Sequence, residues 1–139
     1  MEQRLNVITL GVEDVPRART FYEQLGWEVA FTDGDIVMFQ AGPMIVSLWS
    51  VAKLADDSGV AAPPAGWGGF TLGYAVGGPE EVDALCDAAA VAGATVTRAP
   101  VEKVFGYSGV FADPDGHTWE IAWIKGLTRH ADGTVSLPS

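Results

Sequence analysis

Phe70-Thr-Leu-Gly-Tyr-Ala-Val76, running into Gly78-Pro-Glu-Glu81, restates in kind the earlier Asn6-Val-Ile-Thr-Leu-Gly-Val12 with its following Asp14-Val-Pro16. Each run is rich in strand-forming residues and ends at a helix start. In the first, Asp14 is a natural N-cap and Pro16 falls in the first helical turn. In the second, Glu80 and Glu81 place negative charge where the helix dipole favours it. Even the triplet Thr9-Leu10-Gly11 recurs, as Thr71-Leu72-Gly73.

Outward from these two starts the periodicities agree. Val15, Ala18, Phe21, Tyr22 and Leu25 recur at helical spacing before Gly26, and Val82, Leu85, Cys86 and Ala89 do the same before Gly93. Strand candidates follow the first helix at Trp27–Thr32, Ile36–Gln40 and Met44–Trp49, with Asp33-Gly34 and Gly42-Pro43 as turns. After the second helix they fall at Ala94–Arg98, Gly109–Ala112 and Thr118–Trp123, the last two joined by Asp113-Pro-Asp-Gly116. The reading is an α+β fold of two tandem βαβββ modules. Module one covers about 4–56, a Gly/Pro/Ala linker about 57–67 and module two about 68–126. Together they make one domain over 1–126, and 127–139 is a C-terminal tail.

Composition sets the partners. A chain of 139 residues fits one domain against a prior of about 150 residues per domain and can bury roughly two thirds of its surface. Eight Lys+Arg against 18 Asp+Glu leave a formal charge of −10. Without a basic cluster, nucleic acid and anionic membrane surfaces are excluded as partners, while a cationic small molecule is attracted at long range. No apolar run approaches the ~20 residues of a membrane span, and the opening Met1-Glu-Gln-Arg-Leu-Asn-Val7 lacks a signal-peptide core, so a cytoplasmic protein is expected. The single Cys86 excludes an internal disulfide and reads as a small buried hydrophobe. Phosphate-cradling loops, a dinucleotide fingerprint and a nucleophile elbow are all missing from the sequence.

Two segments carry a family resemblance. Thr9-Leu-Gly-Val-Glu-Asp14…Arg17-Ala-Arg-Thr-Phe21-Tyr22…Leu25-Gly26 resembles the first strand and helix of the vicinal oxygen chelate superfamily, which includes glyoxalases and bleomycin-resistance proteins. Tyr107-Ser-Gly-Val-Phe-Ala-Asp113-Pro-Asp-Gly116-His-Thr-Trp-Glu120 resembles its last hairpin. The resemblance implies curled mixed sheets around a cavity, a homodimer, and a divalent metal held by His and Glu in many members. The first-strand His of the metal enzymes falls at Val7 and that of the second module at Thr71. The last-strand Glu falls at Glu120, and its first-module counterpart near Val46. One donor survives, so no metal or other cofactor is expected: an open metal site needs several protein ligands. His117 and His130, the only imidazoles, fall in a turn and in the tail.

Strand alternation then sorts the side chains. Glu120, Thr118 and Ala122 share one face, and Trp119, Ile121 and Trp123 the other. The resemblance assigns the first face to the cavity, with Thr9, Gly11, Thr71 and Gly73 beside it. Small residues where a core would carry Leu mean either a ligand cavity or a close backbone approach. Glu120 reads three ways: an anchor for a ligand's ammonium, a general base, or a remnant of a metal site held by neighbouring threonines. Trp67, Phe105, Tyr107 and Trp49, at strand ends or in Gly-rich loops, are candidate aromatic walls. The expected function is metal-free binding of an aromatic or cationic small molecule, with Glu120, Trp67, Phe105, Tyr107, Trp49, Thr9 and Thr71 as ligand contacts. The alternatives are a lyase, dioxygenase or thiol transferase with a non-standard metal site, and a dimeric scaffold whose cup is filled by its own side chains.

Overall fold

Val7–Val12 forms strand β1, and Asp14 ends it by capping helix α1 (Val15–Gln24). The Asp14 carboxylate accepts from the Arg17 amide at 2.9 Å, satisfying one of the donors a helix start leaves open. The computed structural model describes residues 1–64 and 66–138. Ala65, inside the expected linker, and Ser139, ending the expected tail, lie outside the described residues. The chain divides near residue 65 into two units.

The first unit continues with β2 (Val29–Asp33), β3 (Ile36–Ala41), β4 (Met44–Ser50) and α2 (Val51–Ser58). Its sheet runs β1-β4-β3-β2, with β1 and β4 parallel and the other pairs antiparallel. Leu10, Val12, Val37, Phe39, Val46 and Leu48 are buried with Ala18, Phe21 and Tyr22 of α1. Tyr22 stacks its ring 5.9 Å from Phe39 and 5.3 Å from Trp27. Burying each such large side chain contributes roughly 1.5–3 kcal/mol, which holds α1 to one face of the sheet.

Helix α2 has no counterpart in the expected βαβββ order. Its signal is short: Val51, Leu54 and Ala55 recur at helical spacing, Ala55 is buried, and Gly59 ends the helix with φ +72°.

The second unit holds β5 (Thr71–Ala75), α3 (Pro79–Ala92), β6 (Thr95–Lys103), β7 (Gly106–Ala112) and β8 (Thr118–Ile124). Its order, β5-β8-β7-β6 with β5 and β8 parallel, repeats that of the first sheet. Val82, Cys86 and Ala89 are the buried stripe of α3. A Cβ placed on Gly109 would lie 2.8 Å from Cys86 Sγ and 2.9 Å from Pro100 Cγ, so the helix seats against β7 only because that residue is glycine.

Strands β6 and β7 run longer than the sequence indicates, reaching Lys103 and starting at Gly106. Pro100 is accommodated because β6 is an edge strand, and the pairing slips between Val96, Arg98 and Val101. In the β7–β8 turn Asp113 Oδ1 accepts from the amides of Asp115 and His117, both at 2.9 Å, a turn-forming role. The expected tail folds back as a two-stranded ribbon, β9 (Thr128–Arg129) with β10 (Val135–Ser136). Two four-stranded mixed sheets with three helices make this an α+β fold. Among the described residues no helix is long and apolar enough to cross a membrane.

Candidate functional site

Pairing across the second sheet sets three rows of side chains on the face away from α3. The central row reads Gly73, Glu120, Val110, Arg98 from β5 to β6. Flanking rows bring Thr71 beside Thr118, and Ala122 beside Ser108. Arg98 therefore faces Glu120 across β7, two strands away.

Three side chains meet there. Arg98 donates from Nη1 to the Ser108 carbonyl and from Nη2 to Ser108 Oγ, both at 2.7 Å. Its Nη2 reaches Glu120 Oε2 at 3.3 Å, and Ser108 Oγ donates to the same oxygen at 3.1 Å. Ser108 is fully buried, whereas the Arg98 and Glu120 side chains are 31% and 37% exposed. Charged pairs at their strongest are nearer 2.8 Å, so the guanidinium is fixed mainly by Ser108 and Glu120 rests against it. The cation expected as Glu120's partner is thus supplied by the chain itself. Neither Arg98 nor Ser108 emerged from the sequence. The available signals were a serine in the apolar run Gly106–Ala112 and the one basic residue between Lys53 and Lys103.

One row along, Thr71 and Thr118 share a hydroxyl hydrogen bond of 2.8 Å. Trp67 Nε1 donates to Thr118 Oγ1 at 3.0 Å and to the Phe70 carbonyl at 2.9 Å. The residue is 64% exposed, yet its indole is pinned by its N–H. Trp67 and Thr71 therefore meet at Thr118, which lies two residues from Glu120 along β8, about 7 Å at strand rise.

Two other expected contacts lie elsewhere in the second unit. Tyr107 sits on the α3 side of β7, its hydroxyl donating to Asp83 Oδ1 at 2.7 Å, and that hydrogen bond raises the phenol pKa above its usual 10.0. Phe105 is partly exposed in the β6–β7 turn, where its carbonyl accepts from the Lys125 amide at 2.8 Å. Thr9 and Trp49 belong to the first unit. There the Thr9 and Ser47 hydroxyls lie 2.7 Å apart, and Trp49 Nε1 donates to Asp35 Oδ1 at 3.2 Å. Lys53 closes on Asp35 Oδ2 at 2.7 Å and holds that carboxyl below its usual range.

The two glycines expected beside the cavity separate the two explanations for small residues. At Gly11 a Cβ would stand 3.2 Å from the Val51 Cα, a close backbone approach. At Gly73 a Cβ would meet no described atom within 4 Å. Open space lies next to Glu120.

The donor set does not fit the divalent metal that the resemblance implies. Val7 has no donor atom, the Thr71 hydroxyl is engaged by Thr118, and Glu120 is paired with Arg98. Among the described residues no three His, Cys, Asp or Glu side chains gather closely enough to share an ion. The first-module position also needs correcting. Val46 pairs with Ile8 on the α1 side, and Trp49, opposite Gly11, occupies the place that Glu120 takes opposite Gly73.

Comparison with known proteins bears on the whole chain. A family model described as the Glyoxalase/Bleomycin resistance protein/Dioxygenase superfamily matches residues 4–121. The structure is similar to that of a glyoxalase-related enzyme from Fulvimarina pelagi, at 34% identity and TM-score 0.91, over 99% of this chain and 100% of that one. It is also similar to a glyoxalase/bleomycin resistance protein/dioxygenase family enzyme from Burkholderia phytofirmans PsJN (21% identity, TM-score 0.72, 86% and 97% covered). A lactoylglutathione lyase from Agrobacterium tumefaciens matches at 18% identity and TM-score 0.66, with 87% and 93% covered. At these lower identities the likeness is one of fold alone. Comparison with curated proteins finds no match.

Proposed function

The chain belongs to the glyoxalase/bleomycin resistance protein/dioxygenase superfamily, and from that premise we propose that it binds a small aromatic molecule, without a resident metal, on the Glu120 face of its second sheet. The observation that carries this reading is the open space over Gly73 beside Glu120 and Arg98. Elsewhere on these strands a small residue is explained by packing, as at Gly11 against Val51 and Gly109 against Cys86. Gly73 has no such explanation, and a binding surface needs unfilled volume next to a few placed polar groups.

Trp67 supplies the aromatic wall. Its N–H is tied to Thr118 and Phe70, so the ring is ordered before any ligand arrives and little entropy remains to be lost on binding. Stacking on it is worth about 0.5–1.5 kcal/mol beyond area burial. A homodimer in the cytoplasm is part of the same proposal, on family analogy.

The test is titration of intrinsic tryptophan fluorescence with a panel of small aromatics, in buffer containing a chelator. Saturable quenching by at least one compound is expected, lost in Trp67→Ala and in Gly73→Val. Valine fits a strand well, so the second variant fills the space without unfolding the sheet. Undiminished binding by Gly73→Val would remove the site from this face.

The naming of the 34% identical relative as an enzyme favours one further reading, in which Glu120 takes a proton from the bound molecule. Its contacts weaken that role, because Oε2 already accepts hydrogen bonds from Arg98 and Ser108. Exchange of ligand hydrogen for solvent deuterium, absent in Glu120→Gln, is the outcome that reading requires.

A further inference from the structure

We infer that the Arg98–Glu120 pair selects ligands by charge, so that the site takes a neutral group carrying a donor beside an acceptor, such as a carboxamide, in preference to an ammonium or a carboxylate. The inference rests on the ligand site proposed above and adds the chemical class that it accepts.

Arg98 has five N–H donors; the named contacts use one on Nη1 and two on Nη2. Two donors, on Nε and Nη1, remain. Glu120 accepts both of its hydrogen bonds on Oε2, so among the described residues Oε1 is open. A donor and an acceptor of opposite charge thus stand side by side, both part-exposed, next to the space over Gly73.

Consider three ligand heads in turn. An ammonium drawn to Glu120 Oε1 meets the guanidinium a few ångströms away, and it cannot displace it. Moving Arg98 would strip two 2.7 Å hydrogen bonds from Ser108, which has no access to water in exchange. A carboxylate drawn to Arg98 meets Glu120, which the 3.1 Å bond from Ser108 holds in place. A carboxamide meets neither penalty: its oxygen accepts from Arg98 while its nitrogen donates to Oε1. The chain's charge of −10 acts against anions at long range, but charges beyond about 8 Å are screened at physiological salt, so this local pair decides.

The same pair explains why the Glu120 carboxylate need not hold a cation from solution. Glu120 already has one, covalently part of the chain.

The experiment titrates the full chain, by calorimetry and tryptophan fluorescence, with benzamide, benzylamine and benzoate at pH 7. Benzamide is expected to bind most tightly, by roughly tenfold or more, the span of one charge-assisted hydrogen bond. Arg98→Gln should shift the preference to benzylamine, and Glu120→Gln should shift it to benzoate. Circular dichroism and thermal melts identify any variant that has unfolded. Since Glu120→Gln leaves Arg98 its Ser108 contacts, that variant keeps the test decisive if Arg98→Gln does not fold. Tightest binding of benzylamine or benzoate by the unaltered chain, or an unchanged order in a folded variant, overturns the charge selection while leaving the site intact. If none of the three binds but other aromatics quench tryptophan at a site sensitive to Gly73→Val, the ligand class is wrong and the site stands. No binding by any aromatic removes both.

Discussion

Trp49 occupies in the first module the place that Glu120 occupies in the second: each lies directly across from the glycine of a Thr-Leu-Gly triplet, Gly11 and Gly73 respectively. The correspondence extends to the next row, where Thr9 meets Ser47 at 2.7 Å and Thr71 meets Thr118 at 2.8 Å through their hydroxyls. Shared backbone register therefore carries different contents. In the first module the row is capped by Val51 and an indole bound to Asp35. In the second it stays open and ends in a carboxylate paired with Arg98.

This asymmetry makes the two triplet glycines behave differently on substitution. Gly11→Ala forces a methyl to within 3.2 Å of the Val51 backbone and is expected to cost about 1–3 kcal/mol, the usual range for overpacking. Gly73→Ala meets open space and is expected to be neutral or slightly stabilising. Urea unfolding of the two variants measures the difference, and equal losses would contradict the account of both positions.

Ser108→Ala is the test of what fixes Arg98. It removes the hydroxyl that accepts from Nη2 and donates to Glu120 in a fully buried position. A loss of about 1–3 kcal/mol in unfolding free energy is expected. Arg98 keeps its bond to the Ser108 carbonyl, so the fold survives. A loss near zero would mean that the cluster is not structurally coupled.

Cys86 sets the alkaline limb of stability. Burial, then the nearby Asp83 and Asp87 carboxylates, raise its thiol pKa above the usual 9.0. The unfolded chain releases that proton first as pH rises, so this contribution is complete below about pH 9 and is lost as pH climbs through the folded value. Tyr107, raised by its hydrogen bond to Asp83, acts in the same direction at higher pH. Stability should fall as pH rises above about 9, less steeply in Cys86→Ala, and a thiol reagent at pH 8 should label the native chain far more slowly than the unfolded one. Identical slopes, or fast native labelling, would contradict the burial argument.

Metal content follows from the donor set. With Val7 offering no ligand atom and Glu120 held by Arg98, protein purified without chelator should carry zinc, nickel, manganese and iron well below one equivalent. Elemental analysis settles the point. One equivalent of any of these, lost in Glu120→Gln, would show that the carboxylate does coordinate.

Much of the scaffold was legible because repeated local signals agreed. Asp14, Gly26 and Gly93 mark helix ends through their own side-chain and backbone chemistry, and period-two alternation placed Leu10, Val12 and Ile121 in the core. The expected face of Glu120 followed from the same parity. Helix α2 was hidden because its eight residues bury little beyond Ala55. Arg98 was hidden for a different reason. Its partnership with Glu120 spans two strands and depends on a pairing slip around Pro100, which no local pattern encodes. Tyr107 shows the converse: a Gly-rich setting marked it as a wall, whereas parity puts it beside Trp123 and under α3, bonded to Asp83.

The most direct measurement is a two-dimensional proton–nitrogen NMR titration of the full chain with benzamide, following the Trp67 indole N–H, the Arg98 side-chain Nε–H and the amides of Gly73, Ser108, Thr118 and Glu120. Saturable shifts concentrated on these groups, and abolished by Gly73→Val, are the predicted result. Shifts confined to the first module, or to the Tyr107 side of the second sheet, would contradict a ligand site on the Glu120 face.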